Sequence, residues 1–160
     1  MLTSASSRLA VGLRQKRAAV LAAQTQRVRH ARAGGGISRK AHILYPCPCC
    51  GYLVFREPTG SYAICPICFW EDDASALRFA DEGGGVNEVS LRQAQANYAA
   101  AGVSDNRLAA HVRAPQPGEV RDPLWRPLDP ERDEVETLVG GVDYGGTYPS
   151  NPTDLYYWRR

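Results

Sequence analysis

Two Cys-x-x-Cys pairs that lie close together limit what this 160-residue chain can fold into more than any other feature. Cys47 and Cys50 form the first pair, Cys65 and Cys68 form the second, and fourteen residues separate the pairs. Two residues between thiolates let one tight turn direct both sulfurs to the same ion, at sulfur–metal distances of about 2.3 Å. A proline after the first cysteine of each pair presets φ for such a turn. We therefore predict that the four cysteines bind one metal ion, and we call each Cys-x-x-Cys turn a knuckle.

The segment between the knuckles has the composition of a β-hairpin. Residues 52–56 are typical of a strand, residues 58–60 of a turn and residues 61–64 of a returning strand. Gly51 stands just past the first knuckle, where the backbone often needs a positive φ. The predicted fold class is small α+β: a zinc-ribbon β-hairpin held at its open end by the four-cysteine site, with one or two packed helices. A unit this small is not expected to hold a ligand cleft of the usual size, roughly 300–1,000 Å³.

Disulfide bonds and thioredoxin-like redox chemistry are the alternatives to a metal. Five cysteines are an odd number, and basic residues interrupt every apolar stretch of the first 40 residues, so none matches a secretory signal. A redox Cys-x-x-Cys pair belongs to a βαβ unit, and no such pattern follows. Both observations favour metal. Cys49, the fifth cysteine, is expected to point away from the ion as a small, partly buried filler, with a reactive or ligand-swapping thiol as the alternative.

The expected metal is Zn²⁺ in a structural role. Tetrahedral sulfur sites suit zinc and iron alike. The knuckles also resemble those of rubredoxins, which hold iron for electron transfer but place a longer stretch between the pairs, so iron is the second choice. A site closed by four thiolates leaves no position for a reactive water. We therefore expect no enzymatic activity.

Local signals around the second knuckle predict short helices. Phe69-Trp70 is expected to cover the metal site, and Glu71-Asp72-Asp73 is an acidic flank for a helix over residues 74–79. Ser90 and Gln93 form a capping-box pair, which predicts a helix that ends at Gly102. A second short helix is predicted over residues 105–111.

Residues 45 to about 105 resemble the cysteine-rich CPCC domain, a small bacterial family. Three blocks carry the resemblance: Tyr45-Pro46-Cys47-Pro48-Cys49-Cys50-Gly51-Tyr52, Ile64-Cys65-Pro66-Ile67-Cys68-Phe69-Trp70-Glu71-Asp72-Asp73, and Gly84-Gly85-Val86-Asn87-Glu88-Val89-Ser90-Leu91. The resemblance implies a zinc-ribbon-like domain and implies no activity. The excess of Arg over Lys, 17 to 2, is typical of a GC-rich genome and also suggests a bacterial source.

The net charge of +2 combines two regions of opposite sign. Residues 1–40 contain nine Lys or Arg and no acid, whereas the rest of the chain contains ten Arg and seventeen acids. The basic leader is expected to be disordered. Contact with nucleic acid or an anionic membrane is one alternative, and a transit role is the other. The acidic remainder favours a protein partner over nucleic acid for the cysteine-rich region. No apolar run approaches the roughly 20 residues of a membrane span, and we expect a cytoplasmic location.

The predicted organisation has three parts: a leader over 1–40, a zinc-ribbon-like domain over 41–114 and a flexible, Pro-rich extension over 115–160. The aromatic residues at the end of the extension are expected either to fold back on the domain or to bind a partner. Trp125 is a second candidate anchor. Together these observations predict a non-enzymatic, zinc-binding protein-interaction module, with a nucleic-acid-binding zinc ribbon and a rubredoxin-like iron carrier as alternatives.

Overall fold

The computed structural model describes residues 43–160. The predicted leader over residues 1–40 lies outside the described part. The chain divides into two compact units. The larger unit consists of Leu44–Leu138 and Pro149–Arg160. The described part of the other unit is Ile43 with Val139–Tyr148, and it contains a short 3-10 helix over Gly145–Thr147.

The first knuckle lies inside a short antiparallel hairpin of the larger unit. Strand β1, Tyr45–Pro46, pairs with strand β2, Leu53–Phe55, so that Tyr45 faces Phe55 and Pro46 faces Leu53 across an irregular register. The Cys-x-x-Cys turn connects the two strands. The predicted strand over 52–56 is therefore present, but its partner precedes the first knuckle.

The second knuckle has a similar hairpin of its own. Tyr62 donates its backbone N–H to the carbonyl oxygen of Asp72, and Asp72 donates to Ala63, both at 2.9 Å. Ile64 and Glu71 form a β-bridge in the same ladder. The predicted pairing of residues 61–64 with 52–56 is thus wrong. Each knuckle reverses the chain by itself, so the segments on either side of one knuckle pair with each other.

The segment between the hairpins is held by a buried carboxylate. Thr59 donates its hydroxyl to Asp72 at 2.9 Å, and Ser61 donates both its backbone N–H, at 3.0 Å, and its hydroxyl, at 2.7 Å. Asp72 and Thr59 are fully buried. These bonds replace the strand pairing that the sequence pattern suggests.

The helices follow their capping signals. Helix α1, Ala74–Arg78, begins at Asp73, whose carboxylate accepts the Ser75 N–H. Helix α2, Leu91–Ala101, begins at Ser90 and ends at Gly102, which adopts the left-handed conformation with φ of +75°. The short helix predicted next is a 3-10 helix over Asn106–His111. In the described part of the chain, no helix is both long and apolar enough to span a membrane.

The C-terminal residues complete the core of the larger unit. Two 3-10 helices, Pro152–Leu155 and Tyr157–Arg159, flank Tyr156. Four consecutive side chains here are buried: Leu155, Tyr156, Tyr157 and Trp158. They join Trp70, Ile67, Leu91 and Val103, which are also buried. The structure therefore has no break at residue 114, because residues 115–138 and 149–160 share the compact unit of the cysteine-rich segment. Of the two expectations for the end of the chain, folding back onto the domain is the one observed.

Candidate metal centre

The four predicted ligands lie together in the core of the larger unit. The sulfurs of Cys47, Cys50, Cys65 and Cys68 all lie within 4.8 Å of one another, and all four residues are fully buried. The Cys47 and Cys68 sulfurs are 3.6 Å apart, and the Cys50 and Cys65 sulfurs are 3.7 Å apart. Four thiolates arranged tetrahedrally about 2.3 Å from an ion have sulfurs about 3.8 Å from each other. These separations suit a shared ion and far exceed the ~2.05 Å of a disulfide bond.

The two knuckles are built in the same way. Cys47 donates its N–H to the carbonyl oxygen of Tyr52 at 2.9 Å, and Cys65 donates to Trp70 at 2.8 Å. Gly51 donates to the carbonyl oxygen of Cys47 at 2.8 Å, as Phe69 does to Cys65 at 2.9 Å. The repeated bonding pattern directs two sulfurs from each turn to one point.

The residue after each knuckle has a positive φ, which is +80° at Gly51 and +64° at Phe69. Glycine adopts this conformation without steric cost, whereas other residues adopt it rarely. A Cβ atom at Gly51 would also lie 2.4 Å from Cδ2 of Trp125. The glycine expected on conformational grounds is thus also required by close packing.

Burial raises the pKa of thiols in the tetrad, whereas hydrogen bonding lowers the pKa of one of them. Burial raises the pKa of Cys47 and of Cys68 well above the usual thiol range. Hydrogen bonds from Cys47, Cys50 and Cys68 lower the pKa of Cys65. Full ionisation of all four sulfurs requires a positive ion at their centre.

Cys49 does not belong to the tetrad. Its side chain is fully buried, and its thiol donates to the carbonyl oxygen of Ala94 in helix α2 at 3.4 Å. Burial raises the pKa of Cys49. The position matches the predicted filler rather than a reactive thiol, because an activated cysteine needs exposure and a lowered pKa.

Residues distant in sequence hold the knuckles in place. The carbonyl oxygen of Pro48 accepts hydrogen bonds from Gln95 at 2.8 Å and from the indole of Trp125 at 3.1 Å. Ser104 donates its N–H to the carbonyl oxygen of Cys68 at 2.8 Å. Sequence reasoning missed Gln95 and named Trp125 only as a candidate anchor. No local sequence pattern identifies either residue, because the Pro48 carbonyl oxygen that they bond lies 47 positions from Gln95 and 77 from Trp125.

The acidic run after the second knuckle serves the fold. Asp73 caps helix α1, as the sequence predicts for an acidic flank. Asp72 accepts the hydrogen bonds from Thr59 and Ser61. Burial raises the pKa of Asp72 to about 6, although those hydrogen bonds partly oppose the shift. Phe69 packs against His111, with ring centroids 5.1 Å apart, and Trp70 is fully buried.

A groove lies beside the second knuckle, contrary to the expectation that a unit of this size holds none. Its volume is about 330 Å³, at the lower limit of the usual range for ligand sites. Ile64, Phe69, Glu71, Glu88 and Leu108 are among the residues that line it. The fully buried sulfurs do not open into it.

Comparison with known proteins finds a family resemblance in the cysteine-rich segment. The family model described as cysteine-rich CPCC matches residues 45–119. The matched segment starts at the first residue of β1 and includes both knuckles and both α-helices. It ends before Trp125 and the buried C-terminal aromatic residues. No curated protein and no solved structure matches the chain. The resemblance to the cysteine-rich CPCC family is therefore shown for residues 45–119.

Proposed function

We propose that the four-cysteine centre holds a structural Zn²⁺ ion and that the domain acts as a non-enzymatic module that binds another protein. The observation that carries the first part is the complete burial of four sulfurs, paired at 3.6 and 3.7 Å. A closed centre of this kind has no position for substrate or water. In this proposal the bound ion stabilises the folded domain and takes no part in a reaction.

The size of the regular structure supports a stabilising role for the ion. The strands contain two and three residues, and the two α-helices contain five and eleven. Such short elements supply little cooperative stability of their own. Zinc bound by a small domain contributes on the order of 10 kcal/mol to folding. Removal of the ion is therefore expected to unfold the larger unit.

Charge supports a protein partner over nucleic acid. The segments 44–138 and 149–160 contain ten Arg and sixteen Asp or Glu. A zinc ion held by four thiolates adds a formal charge of −2. A phosphate backbone would be repelled by this surface, because nucleic-acid binding depends on cationic side chains that neutralise phosphates. The proposal places the protein in the cytoplasm, where its thiols stay reduced.

The proposal is tested by capture followed by reconstitution. The zinc-loaded protein is used as bait, and each captured protein is then purified and titrated against it calorimetrically. We expect a stoichiometric complex that is lost when a chelator removes the metal. Two results contradict the proposal: a captured set in which no protein rebinds in purified form, or a salt-dependent affinity for DNA that survives deletion of residues 1–40.

A further inference from the structure

The two hairpins share one design but differ at their outer edges. In the first hairpin this edge is paired with a later segment of the chain. Leu53 donates its N–H to the carbonyl oxygen of Val120, and Asp122 donates to Gly51, both at 2.9 Å. Arg121 between them forms a β-bridge with Tyr52. The chain thus adds its own strand to the first hairpin.

The second hairpin has a side-chain amide where the first has a strand. By the order of residues after each knuckle, Phe69 and Glu71 correspond to Gly51 and Leu53. Asn87 accepts the N–H of Glu71 at 3.0 Å and donates its amide to the Glu71 carbonyl oxygen at 2.9 Å. One amide satisfies one residue of the edge, and the groove of about 330 Å³ lies beside it, with Glu71 and Asn87 in its lining.

The groove combines apolar walls with negative charge. Phe69, Val86, Val89 and Leu108 are half-buried in its lining, and Ile64 at its edge is 50% exposed. The charged residues of the lining are Glu71, Glu88, Asp105 and Arg107, which sum to a formal charge of −2. Arg107 already forms an ion pair with Asp105. Glu88 is exposed, so its carboxylate is the negative charge that a bound cation would meet.

We propose that this groove binds an extended segment of a partner protein in which aliphatic residues alternate with Lys or Arg. The inference rests on the proposed protein-binding function and assigns it a surface. Aliphatic side chains of the segment fill the apolar walls, and its cations face the exposed Glu88. Charge complementarity selects this occupant. A second copy of the acidic unit, or a nucleic acid, would bring like charge to the groove.

The test is an NMR titration of the zinc-loaded, ¹⁵N-labelled full chain with three synthetic peptides. The probe is acetyl-Lys-Val-Arg-Ile-Lys-amide. One control replaces the cations with Glu, and the other replaces the aliphatic residues with Ser. We expect the probe alone to shift the amide signals of Ile64, Phe69 and Val89. Binding should weaken as salt is added, because the charges at an exposed groove are screened.

Two matched pairs of variants sharpen the test. Glu88→Lys should weaken probe binding roughly tenfold, whereas Glu57→Lys, an exposed site outside the groove lining, should leave it unchanged. Ile64→Ser should weaken binding, and Leu124→Ser, which alters a 62% exposed side chain outside the lining, should not. All four positions are exposed, so the variants are expected to fold.

Three results overturn the inference: no shifts with the probe, shifts confined to other surfaces, or equal shifts with the Glu peptide. A reconstituted protein partner that binds the Glu88→Lys and Ile64→Ser variants with wild-type affinity would also overturn it. That last result would leave the proposed protein-binding function standing, so the two proposals fail separately.

Discussion

Gly51 and Phe69 occupy the same place in two copies of one turn. Each donates its backbone N–H to the first cysteine of its knuckle, at 2.8 and 2.9 Å, and each has a positive φ. The metal centre is therefore a repeated structural unit as well as a set of four ligands. The copies differ in what covers them, since Trp125 lies against Gly51 while Phe69 lines a groove.

Replacement of Gly51 by Ala should destabilise the larger unit by roughly 2–4 kcal/mol. The change adds the cost of a positive φ and places a Cβ atom 2.4 Å from Trp125. Gly118→Ala is the control, because φ there is +92° and nothing lies within 4 Å of an added Cβ. The control should lose only about 1 kcal/mol. Equal losses in urea unfolding of the two variants would contradict a packing role for Trp125.

Cysteine substitutions should distinguish the four metal ligands from Cys49, which fills space in the core. Cys65→Ala removes one of four sulfurs that lie within 4.8 Å of each other and should abolish stoichiometric metal binding. Cys49→Ala should keep one ion per chain and cost roughly 1 kcal/mol through a small cavity and a lost hydrogen bond to Ala94. Metal content after gel filtration measures both. Loss of the ion from Cys49→Ala would make that thiol part of the centre.

Asp72 should make stability fall as the pH rises through the weakly acidic range. Its pKa in the folded state is about 6 because of burial, whereas an unfolded Asp has a pKa of about 3.9. Between these values the folded state holds more protons than the unfolded state, so stability declines by roughly 3 kcal/mol and is level above pH 6.

Asp72→Asn should remove this decline. The amide oxygen can still accept from Ser61, and the amide N–H can donate to Thr59. The difference in unfolding free energy between the variant and the wild type should therefore grow in favour of the variant from pH 4 to pH 6. The metal contributes to both proteins and largely cancels in the difference. A difference that is constant across this range would show that Asp72 is ionised at pH 4.

The C-terminal residues should be necessary for stability. Deletion of residues 149–160 removes four buried side chains and the hydrogen bond between Tyr157 and Gln95, so we expect no cooperative unfolding transition. The milder Trp158→Ala should cost about 3–5 kcal/mol. Leu124→Ala, at a 62% exposed position, should stay within about 0.5 kcal/mol of the wild type. If the truncated protein were as stable as the wild type, the C-terminal segment would be a flexible extension, as the sequence predicted.

Local chemistry allowed much of the centre to be predicted from sequence. The spacing of Cys47, Cys50, Cys65 and Cys68 identifies a tetrad that the structure brings together. The Ser90 cap and Gly102 mark helix α2 correctly, because capping depends on residues within one turn. The family resemblance was confirmed and extends to residue 119.

Long-range relations explain what sequence reasoning missed. Residues 61–64 have the composition of a strand, but composition does not identify a partner, and the turn at each knuckle decides the pairing. A Pro-rich segment is usually extended and weakly ordered. Here Asp122 accepts hydrogen bonds from Trp158 and Arg159, and Tyr157 donates to the carbonyl oxygen of Arg126, so side chains fold the segment back. The groove is lined by side chains drawn from residues 64 to 108 and has no sequence signature.

The most direct test of the central claim is the metal content of the protein purified without added metal, measured together with its circular dichroism before and after chelation. We expect one zinc per chain and a loss of the folded spectrum when the ion is removed. One iron per chain with a visible charge-transfer band would support the electron-transfer alternative. A metal-free protein with an unchanged spectrum would contradict a structural metal centre.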